Sequence, residues 1–231
     1  MEKYWSLYSG GKDSTAVTNW LSQQGLLEGI VTLDTGISVP DWLSWVDKKV
    51  GQWGCDLEVF KTPVDYDSLV LKYGFPGPGM HGVFMNYLKG RGVRLFKKAH
   101  PNWVLASGVR SDESRRRFRN TKEWGSFENV KIWAPLYDWT TPRVWEYVNS
   151  LGFKRSPAYA ILCISGDCLC GAYADKLERE AIRAAYPELN ARLEWLEART
   201  DKPWGWGSNQ RIIRQIKSPL CVDCESPDSL P

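Results

Sequence analysis

The chain has 231 residues, of which 43% are hydrophobic, and its formal net charge is +3. This size and composition predict one sizeable α/β domain with at most a small appendage, and they exclude a disordered chain or a polyelectrolyte binder. No run of about 18 apolar residues occurs, and Met1–Lys3 leads into a strand rather than a signal-peptide core. We therefore expect a cytoplasmic protein with no membrane segment.

Apolar, strand-like runs alternate with amphipathic segments along the first two thirds of the chain. After the first run, apolar residues recur at helical spacing from Thr15 until Gly25. This alternation indicates βαβ units and therefore an α/β fold, with a parallel five-stranded sheet covered by helices on both faces. The predicted strands lie within residues 4–8, 29–36, 57–63, 102–110 and 130–136.

The character of the sequence changes near Ser156. Beyond this residue, AYADKLEREAIRAAY and PELNARLEWLEAR are helical in pattern and are flanked by cysteines. We predict an α/β domain over residues 1–156 and a small helical, cysteine-bearing C-terminal region over residues 157–231.

The turn between the first strand and the first helix is rich in glycine and carries a lysine. It reads Ser9-Gly10-Gly11-Lys12-Asp13-Ser14. Without Cβ atoms, the glycines let backbone N–H groups approach phosphate oxygens, while the helix N-terminus and the lysine add positive charge. The pattern is neither G-x-x-x-x-G-K-[ST] nor G-x-G-x-x-G. A tight turn without a ligand is the alternative, but strand, SGGKDS and helix together favour a phosphate site.

SGGKDS after a first strand resembles the pyrophosphate loop of the PP-loop ATP-pyrophosphatase superfamily. LDTG, SGVRSDESRRR and PLYDWTTPRVWEYVNSLG then follow the second, fourth and fifth strands. This order resembles the phosphoadenosine phosphosulfate reductase family, including its ATP-using sulfurtransferase and adenylylating relatives, over residues 4–157. The resemblance implies an adenine nucleotide α-hydrolase-like, Rossmann-like fold, with ATP and Mg²⁺ bound by the domain at residues 1–156.

The resemblance also implies roles for single residues. Gly108 would let the nucleotide approach the fourth strand, and Arg110 and Arg115 would face phosphate or the activated substrate. Lys12, Asp13 and Arg110 are the implied catalytic residues. The phosphates would be held by Ser9, Gly10, Gly11, Lys12, Asp13 and Ser14. The adenosine side would be lined by Asp34, Thr35 and Gly36, of which Asp34 could also reach a metal ion.

Five arginines lie between residues 110 and 119. Guanidinium groups suit phosphate and sulfate oxygens, and a local basic patch also suits a nucleic-acid substrate. A solvated basic face explains the later arginines of this run equally well. Lys89 and Arg91 are further candidates for binding an anionic substrate, in a region where many members of the family carry a cysteine and this chain has none.

Five of the six cysteines lie in the last third of the chain, in CISGDCLCG and CVDC. Thiolates on such short spacings can form a four-ligand site for zinc or for a [4Fe–4S] cluster, and unconnected buried cysteines are the alternative. Resemblance to sulfur-transferring relatives favours the cluster. The candidate ligands are Cys163, Cys168, Cys170, Cys221 and Cys224, the first two competing for one place or sharing it.

The intact loop favours cleavage of ATP between its α and β phosphates, with adenylylation of an acceptor for sulfur transfer. Sulfonucleotide reductases carry an E-C-G-L-like motif that is absent here, and their loop tends to be degraded. Three alternatives stay open: a phosphoadenosine phosphosulfate reductase, a non-catalytic nucleotide- or nucleic-acid-binding partner subunit, and an adenylyltransferase that stops at the AMP adduct. A sulfur donor or thiol reductant is a possible partner. Sulfate, a tRNA base, a DNA phosphate and a small metabolite all remain compatible acceptors.

Overall fold

The structure is a computed structural model that describes residues 2–113 and 122–205. Six of its strands form one sheet in the order β3-β2-β1-β4-β6-β5. All neighbouring strands are parallel except β5 and β6. The predicted α/β class with a mostly parallel sheet is confirmed, and the strand number is corrected from five to six. The strands are β1 (Tyr4–Leu7), β2 (Leu27–Asp34), β3 (Asp56–Lys61), β4 (Leu105–Ala106), β5 (Trp124–Phe127) and β6 (Val130–Trp133).

Helices connect the parallel strands and continue beyond the sheet. A π-helical turn, Asn86–Gly90, joins the fourth helix to the fifth. The α-helices of the described residues are α1 (Lys12–Gln23), α2 (Trp42–Val50), α3 (Tyr66–Tyr73), α4 (His81–Met85), α5 (Arg91–Ala99), α6 (Thr141–Ser150), α7 (Pro157–Leu162), α8 (Lys176–Ala185) and α9 (Pro187–Glu197).

The additional strand, β5, forms a hairpin with β6. The two residues of its turn, Glu128 and Asn129, have φ values of +52° and +62°. Two successive left-handed residues are typical of a type I′ turn, whose twist matches that of an antiparallel strand pair. Sequence reasoning missed β5 because it is short and mostly exposed, so it lacks the apolar alternation that marks a half-buried strand.

Both faces of the sheet are covered. Along β2, Ile30 belongs to a core cluster with α2 residues such as Val46, whereas its neighbour Val31 packs with Phe96 of α5. Successive residues of a strand point to opposite faces, so these two clusters lie on opposite sides of the sheet. The prediction that helices cover both faces is thereby confirmed.

The helices after Ser156 share a core with the α/β body. Leu169, Ile182 and Leu193 belong to the same hydrophobic cluster as Tyr8. The division into regions 1–156 and 157–231 stays a prediction. In the described part of the chain, none of the helices has the length and apolar character needed to cross a bilayer.

The hairpin turn makes a stability prediction. We expect Asn129→Val to lower the free energy of unfolding by about 1 kcal/mol, because a β-branched residue is strained in the left-handed region. Asn129→Gly is the matched control and should leave stability unchanged or slightly raised. Urea denaturation followed by tryptophan fluorescence measures both variants, and a valine variant as stable as the glycine variant would contradict the assigned turn.

Candidate functional site

The residues predicted to hold phosphate form the turn between β1 and α1, which we call the phosphate loop (residues 9–14). Gly10 has a φ of +82°, and a Cβ atom on it would lie 2.6 Å from the ring of Trp45. Gly11 is the N-cap of α1, and no side chain caps this helix end. The first N–H groups of a helix have no acceptor within the helix, so the loop offers donors and partial positive charge at the carboxyl edge of the sheet.

Hydroxyl and indole groups fix the shape of the phosphate loop. The hydroxyl of Ser14 donates to the carbonyl oxygen of Gly11 over 3.0 Å and accepts from the backbone N–H of Ser9 over 3.3 Å. From α2, the indole Nε1 of Trp42 donates to the carbonyl oxygen of Ser9 over 3.1 Å. The loop is therefore braced from within and from the neighbouring helix.

The charged residues of the loop form a chain of ion pairs. The ammonium of Lys12 lies 3.2 Å from one carboxylate oxygen of Asp13, and Nε of Arg110 donates to the other over 2.7 Å. The Lys12 side chain is only 6% exposed and that of Arg110 only 1%. Both cations thus lie against one carboxylate beside the loop amides.

Arg110 is buried and binds protein acceptors from three residues. Its guanidinium also donates to the carbonyl oxygen of Trp139 over 2.8 Å and to the hydroxyl of Thr141 over 3.2 Å. Contact between Arg110 and phosphate or substrate stays a prediction, and the acceptors of its guanidinium in this structure are protein atoms. The geometry makes Arg110 a residue that positions Asp13.

Gly108 has a packing role that its sequence context did not reveal. A Cβ atom at this position would lie 2.6 Å from the carbonyl carbon of Asp13 and 2.8 Å from the backbone nitrogen of Ser14. Only a residue without a side chain lets the segment after β4 approach the first turn of α1 so closely. Contact between Gly108 and a nucleotide stays a prediction.

The segment after β2 is tied to residues 163–171, which we call the cysteine loop. Thr35 is buried and its hydroxyl donates to the carbonyl oxygen of Asp167 over 3.0 Å, while the amide of Leu169 donates to the carbonyl oxygen of Ile37 over 2.7 Å. Asp34 accepts from the backbone N–H of Gly36 over 2.8 Å. The predicted adenosine residues thus lie beside the cysteine loop.

The cysteine loop also contacts the phosphate loop. The Cβ of Ser165 lies 3.5 Å from the position that a Cβ on Gly11 would occupy. The Ser165 hydroxyl donates to one carboxylate oxygen of Asp167 over 2.5 Å, and the ammonium of Lys89 lies 2.7 Å from the other. Lys89 was predicted to bind an anionic substrate; in this structure the anion beside it is Asp167.

Two cysteine thiols meet in the cysteine loop. A hydrogen bond from Cys170 and the nearby charge of Lys89 lower the pKa of Cys168 to about 7, although burial opposes this. The same hydrogen bond, together with burial, raises the pKa of Cys170 well above its usual range. Burial would raise the pKa of Asp167, but the charge and hydrogen bond of Lys89, together with hydrogen bonds from Ser165 and the backbone, outweigh it and hold that pKa below its ordinary value. Cys168 is therefore the thiol that ionises first.

The thiol pair fits part of a metal or cluster site. Within residues 2–113 and 122–205, no three His, Cys, Asp or Glu side chains are grouped as metal ligands. Cys163 follows α7 and does not join Cys168 and Cys170 in such a group. Two adjacent thiols, one of them acidic, suit two ligands of a thiolate site. Arg115, Cys221 and Cys224 lie outside the described residues.

Sequence reasoning missed two residues that join the loops, Ser165 and Asp167. They flank Gly166, whose φ is +78°, and a Ser-Gly-Asp run between cysteines is a typical turn signal. The run predicts a turn, but it does not show that Lys89, 78 residues away from Asp167, supplies the opposite charge.

The family model described as the phosphoadenosine phosphosulfate reductase domain matches residues 3–168. The chain belongs to the phosphoadenosine phosphosulfate reductase family. This confirms the resemblance inferred from the SGGKDS, LDTG and SGVR motifs, all of which lie inside the matched residues. A search of curated proteins finds no match for the chain.

Several solved structures share this fold. The phosphoadenylyl-sulfate reductase of Candida auris, a phosphate complex, aligns with 67% of this chain and 75% of its own at 13% identity and a TM-score of 0.50. The FMN adenylyltransferase of Candida glabrata, with FMN and the ATP analogue AMPCPP, aligns with 92% of this chain and 78% of its own at 13% identity and a TM-score of 0.53. The U34-tRNA thiolase NcsA of Methanococcus maripaludis, with its [4Fe–4S] cluster, aligns with 95% of this chain and 81% of its own at 14% identity and a TM-score of 0.51. At these identities the likeness shows the fold.

Gly108 provides a test of the site's architecture. We expect Gly108→Ala to lower the free energy of unfolding by about 2 kcal/mol, because the added methyl group meets backbone atoms that cannot rotate away. Gly82→Ala is the control, since a Cβ there meets nothing within 4 Å and alanine favours the helix. Urea denaturation measures both, and a Gly108→Ala variant as stable as Gly82→Ala would contradict the close approach.

Proposed function

We propose that this protein binds ATP at the phosphate loop and cleaves it between the α and β phosphates to adenylylate an acceptor for sulfur transfer. The observation that carries the proposal is the uncapped start of α1, with Lys12 at its first position, placed beside a loop that contains an acidic thiol. The proposed phosphate site therefore adjoins a loop that carries two thiols, which supports a reaction involving both.

The proposed reaction forms one bond and breaks one at the α-phosphorus. An acceptor oxygen attacks this atom, the bond to the oxygen that bridges the α and β phosphates breaks, and pyrophosphate leaves with the electron pair. The acceptor's proton is released to water. A sulfur nucleophile then displaces AMP from the activated acceptor.

The residues of the loop stabilise the charge that develops on pyrophosphate. Backbone N–H groups at Gly10 and Gly11 and the ammonium of Lys12 act as preorganised donors, which is the main source of catalysis in such displacements. Asp34 is the carboxylate that would hold Mg²⁺, which, when bound, would neutralise phosphate charge, whereas both oxygens of Asp13 already face Lys12 and Arg110. Arg110 keeps Asp13 in place.

The contents of the related structures support this assignment. The adenylyltransferase of Candida glabrata was solved with an ATP analogue, and the thiolase of Methanococcus maripaludis carries a [4Fe–4S] cluster. A phosphoadenosine phosphosulfate reductase is the second candidate, favoured by the family to which the chain belongs. Release of sulfite from phosphoadenosine phosphosulfate and a thiol reductant would identify that reaction, whereas release of pyrophosphate from ATP identifies the first.

Lys12 is the residue whose loss tests the reaction. We expect Lys12→Ala to reduce pyrophosphate release from ATP by at least about a hundredfold, because the removed ammonium stabilises the leaving group. Lys48→Ala, at an exposed position of α2, is the control and should keep wild-type turnover. Thermal unfolding checks that both variants fold. A Lys12→Ala variant with full activity would refute the assignment. A wild-type protein that releases phosphate from ATP but never pyrophosphate would refute it as well.

We also propose that Cys168 and Cys170 bind a [4Fe–4S] cluster together with Cys221 and Cys224. When bound, the cluster would supply sulfur-handling or redox chemistry beside the nucleotide; zinc at the same residues would be structural instead. The short spacing of each pair and the acidic thiol of Cys168 support this ligand set.

Elemental analysis of anaerobically purified variants tests the ligand set. We expect Cys168→Ser and Cys170→Ser each to lose most of the bound iron, because serine is a poor ligand for it. Cys163→Ser and Cys55→Ser should retain the wild-type content, since neither residue is grouped with the thiol pair. Loss of iron in Cys163→Ser would show that the wrong fourth ligand was chosen, and zinc in place of iron would exclude the cluster.

A further inference from the structure

A cleft of about 450 Å³ adjoins the phosphate loop. Its walls come from three segments: the start of α2, the start of α7 and the corner between α8 and α9. Trp42 and Trp45 separate it from the loop, since Trp42 donates to the carbonyl oxygen of Ser9 and the ring of Trp45 packs on Gly10. A molecule in this cleft would therefore lie beside the loop that is proposed to hold the phosphates of ATP.

The walls of the cleft suit a flat ring. They include the aromatic side chains Trp42, Trp45 and Tyr186 and the apolar residues Pro157 and Ala158. Its volume falls within the range of about 300–1,000 Å³ that is typical of small-molecule sites, which are mostly apolar with a few well-placed polar groups. Aromatic walls favour planar ligands, because rings stack on one another or meet edge to face.

The charge of the cleft disfavours an anionic ligand. Two carboxylates, Asp41 and Glu188, lie in the lining, and no lysine or arginine does. The starts of α2, α7 and α9 contribute about half a positive charge each and the end of α8 about half a negative charge, which together with the carboxylates leaves roughly one net negative charge. A neutral or cationic ligand is therefore favoured, and sulfate is disfavoured.

Asp41 is held in an unusual backbone conformation at the mouth of the cleft. Its φ is +59°, and its side chain makes no capping hydrogen bond to α2. Left-handed residues other than glycine are uncommon and concentrate at functional sites. Among residues 2–113 and 122–205, no hydrogen bond or ion pair occupies its carboxylate, so it can accept hydrogen bonds from a ligand.

We propose that this cleft binds the acceptor of the adenylyl transfer, and that the acceptor carries a planar, uncharged or cationic heteroaromatic ring with N–H donors. This is the chemistry of a nucleobase, supplied either as a free nucleoside or as a base within a nucleic acid. The ligand's role as acceptor rests on the proposed function, whereas its chemical class follows from the lining of the cleft alone.

Filling the cleft tests the site. Ala185 lies in the lining and is exposed, so Ala185→Trp adds a ring to the cleft without disturbing the core. We expect it to weaken the binding of uridine, cytidine or guanosine at least about tenfold, measured by calorimetry on the full chain. Ala184→Trp is the matched control, because Ala184 is equally exposed but lies outside the lining.

Removing the carboxylate tests the charge. We expect Asp41→Asn to weaken the same nucleosides about tenfold, and Asp47→Asn, at an exposed position of α2 outside the lining, to have no effect. Single-stranded RNA and DNA oligonucleotides are titrated beside the nucleosides. Binding of nucleosides identifies a small-molecule acceptor, and binding of an oligonucleotide alone identifies a base within a nucleic acid.

Several results would overturn the inference. These are no binding of any nucleobase probe to the wild-type protein, equal binding by Ala185→Trp and Ala184→Trp, or binding of sulfate that Ala185→Trp abolishes. If Ala185→Trp weakens ATP as much as the nucleosides, the cleft holds the nucleotide's own adenine rather than an acceptor. Inorganic pyrophosphate is the reference ligand, since its affinity should be unchanged in every cleft variant.

The failure of the proposed function would look different. A wild-type protein that neither binds pyrophosphate nor releases it from ATP contradicts the phosphate-loop assignment. Nucleoside binding that Ala185→Trp and Asp41→Asn weaken would still establish the cleft as a ligand site. The two conclusions can therefore fail separately.

Discussion

The buried guanidinium of Arg110 connects its own segment, which follows β4, to two segments that are far away in the chain. It donates to Asp13 in the phosphate loop, to the backbone of Trp139 and to Thr141 at the start of α6. Removing one member of a buried charged pair leaves the other uncompensated and typically costs about 3–5 kcal/mol. Loop, central strand and helix are thereby held as one unit, and Gly108 lets them approach closely enough. The direction of the loop amides depends on this arrangement.

A second set of contacts brings two cysteine thiols to the same edge of the sheet. The cysteine loop is fastened to the segment after β2 through Thr35 and Ile37, and it reaches the phosphate loop through Ser165. The hydrogen bond from Cys170 and the charge of Lys89 lower the pKa of Cys168 and favour its thiolate, whereas the Asp167 carboxylate paired with Lys89 opposes it. Ser165 lies close to Gly11, so the two loops are in contact.

The two proposed binding sites differ in charge. The phosphate loop combines a lysine with the start of α1, whereas the neighbouring cleft carries two carboxylates and no basic side chain. A triphosphate would therefore bind at the phosphate loop and an uncharged or cationic ring in the cleft, and the two ligands would not compete. Trp42 and Trp45 form the boundary, since each contacts the phosphate loop and lines the cleft. This difference in charge fits the proposed transfer reaction, which needs two unlike substrates side by side.

Much of the fold follows from local patterns that sequence reasoning can use. The alternation of strands and helices predicted the α/β class, and the SGGKDS turn predicted the family that the match over residues 3–168 confirms. The strand β5 was missed because it is short and exposed. Its place depends on pairing with β6 across a two-residue turn.

The sequence by itself determined the class of fold and the family, because the first depends on the periodicity within each segment and the second on short motifs and their order along the chain. Only the tertiary structure decided that Arg110 holds Asp13, 97 residues away, and that Lys89 meets Asp167, 78 residues away. It alone assembled the cleft from three separate segments. Such contacts are set by how helices pack on the sheet, and no local pattern contains that information.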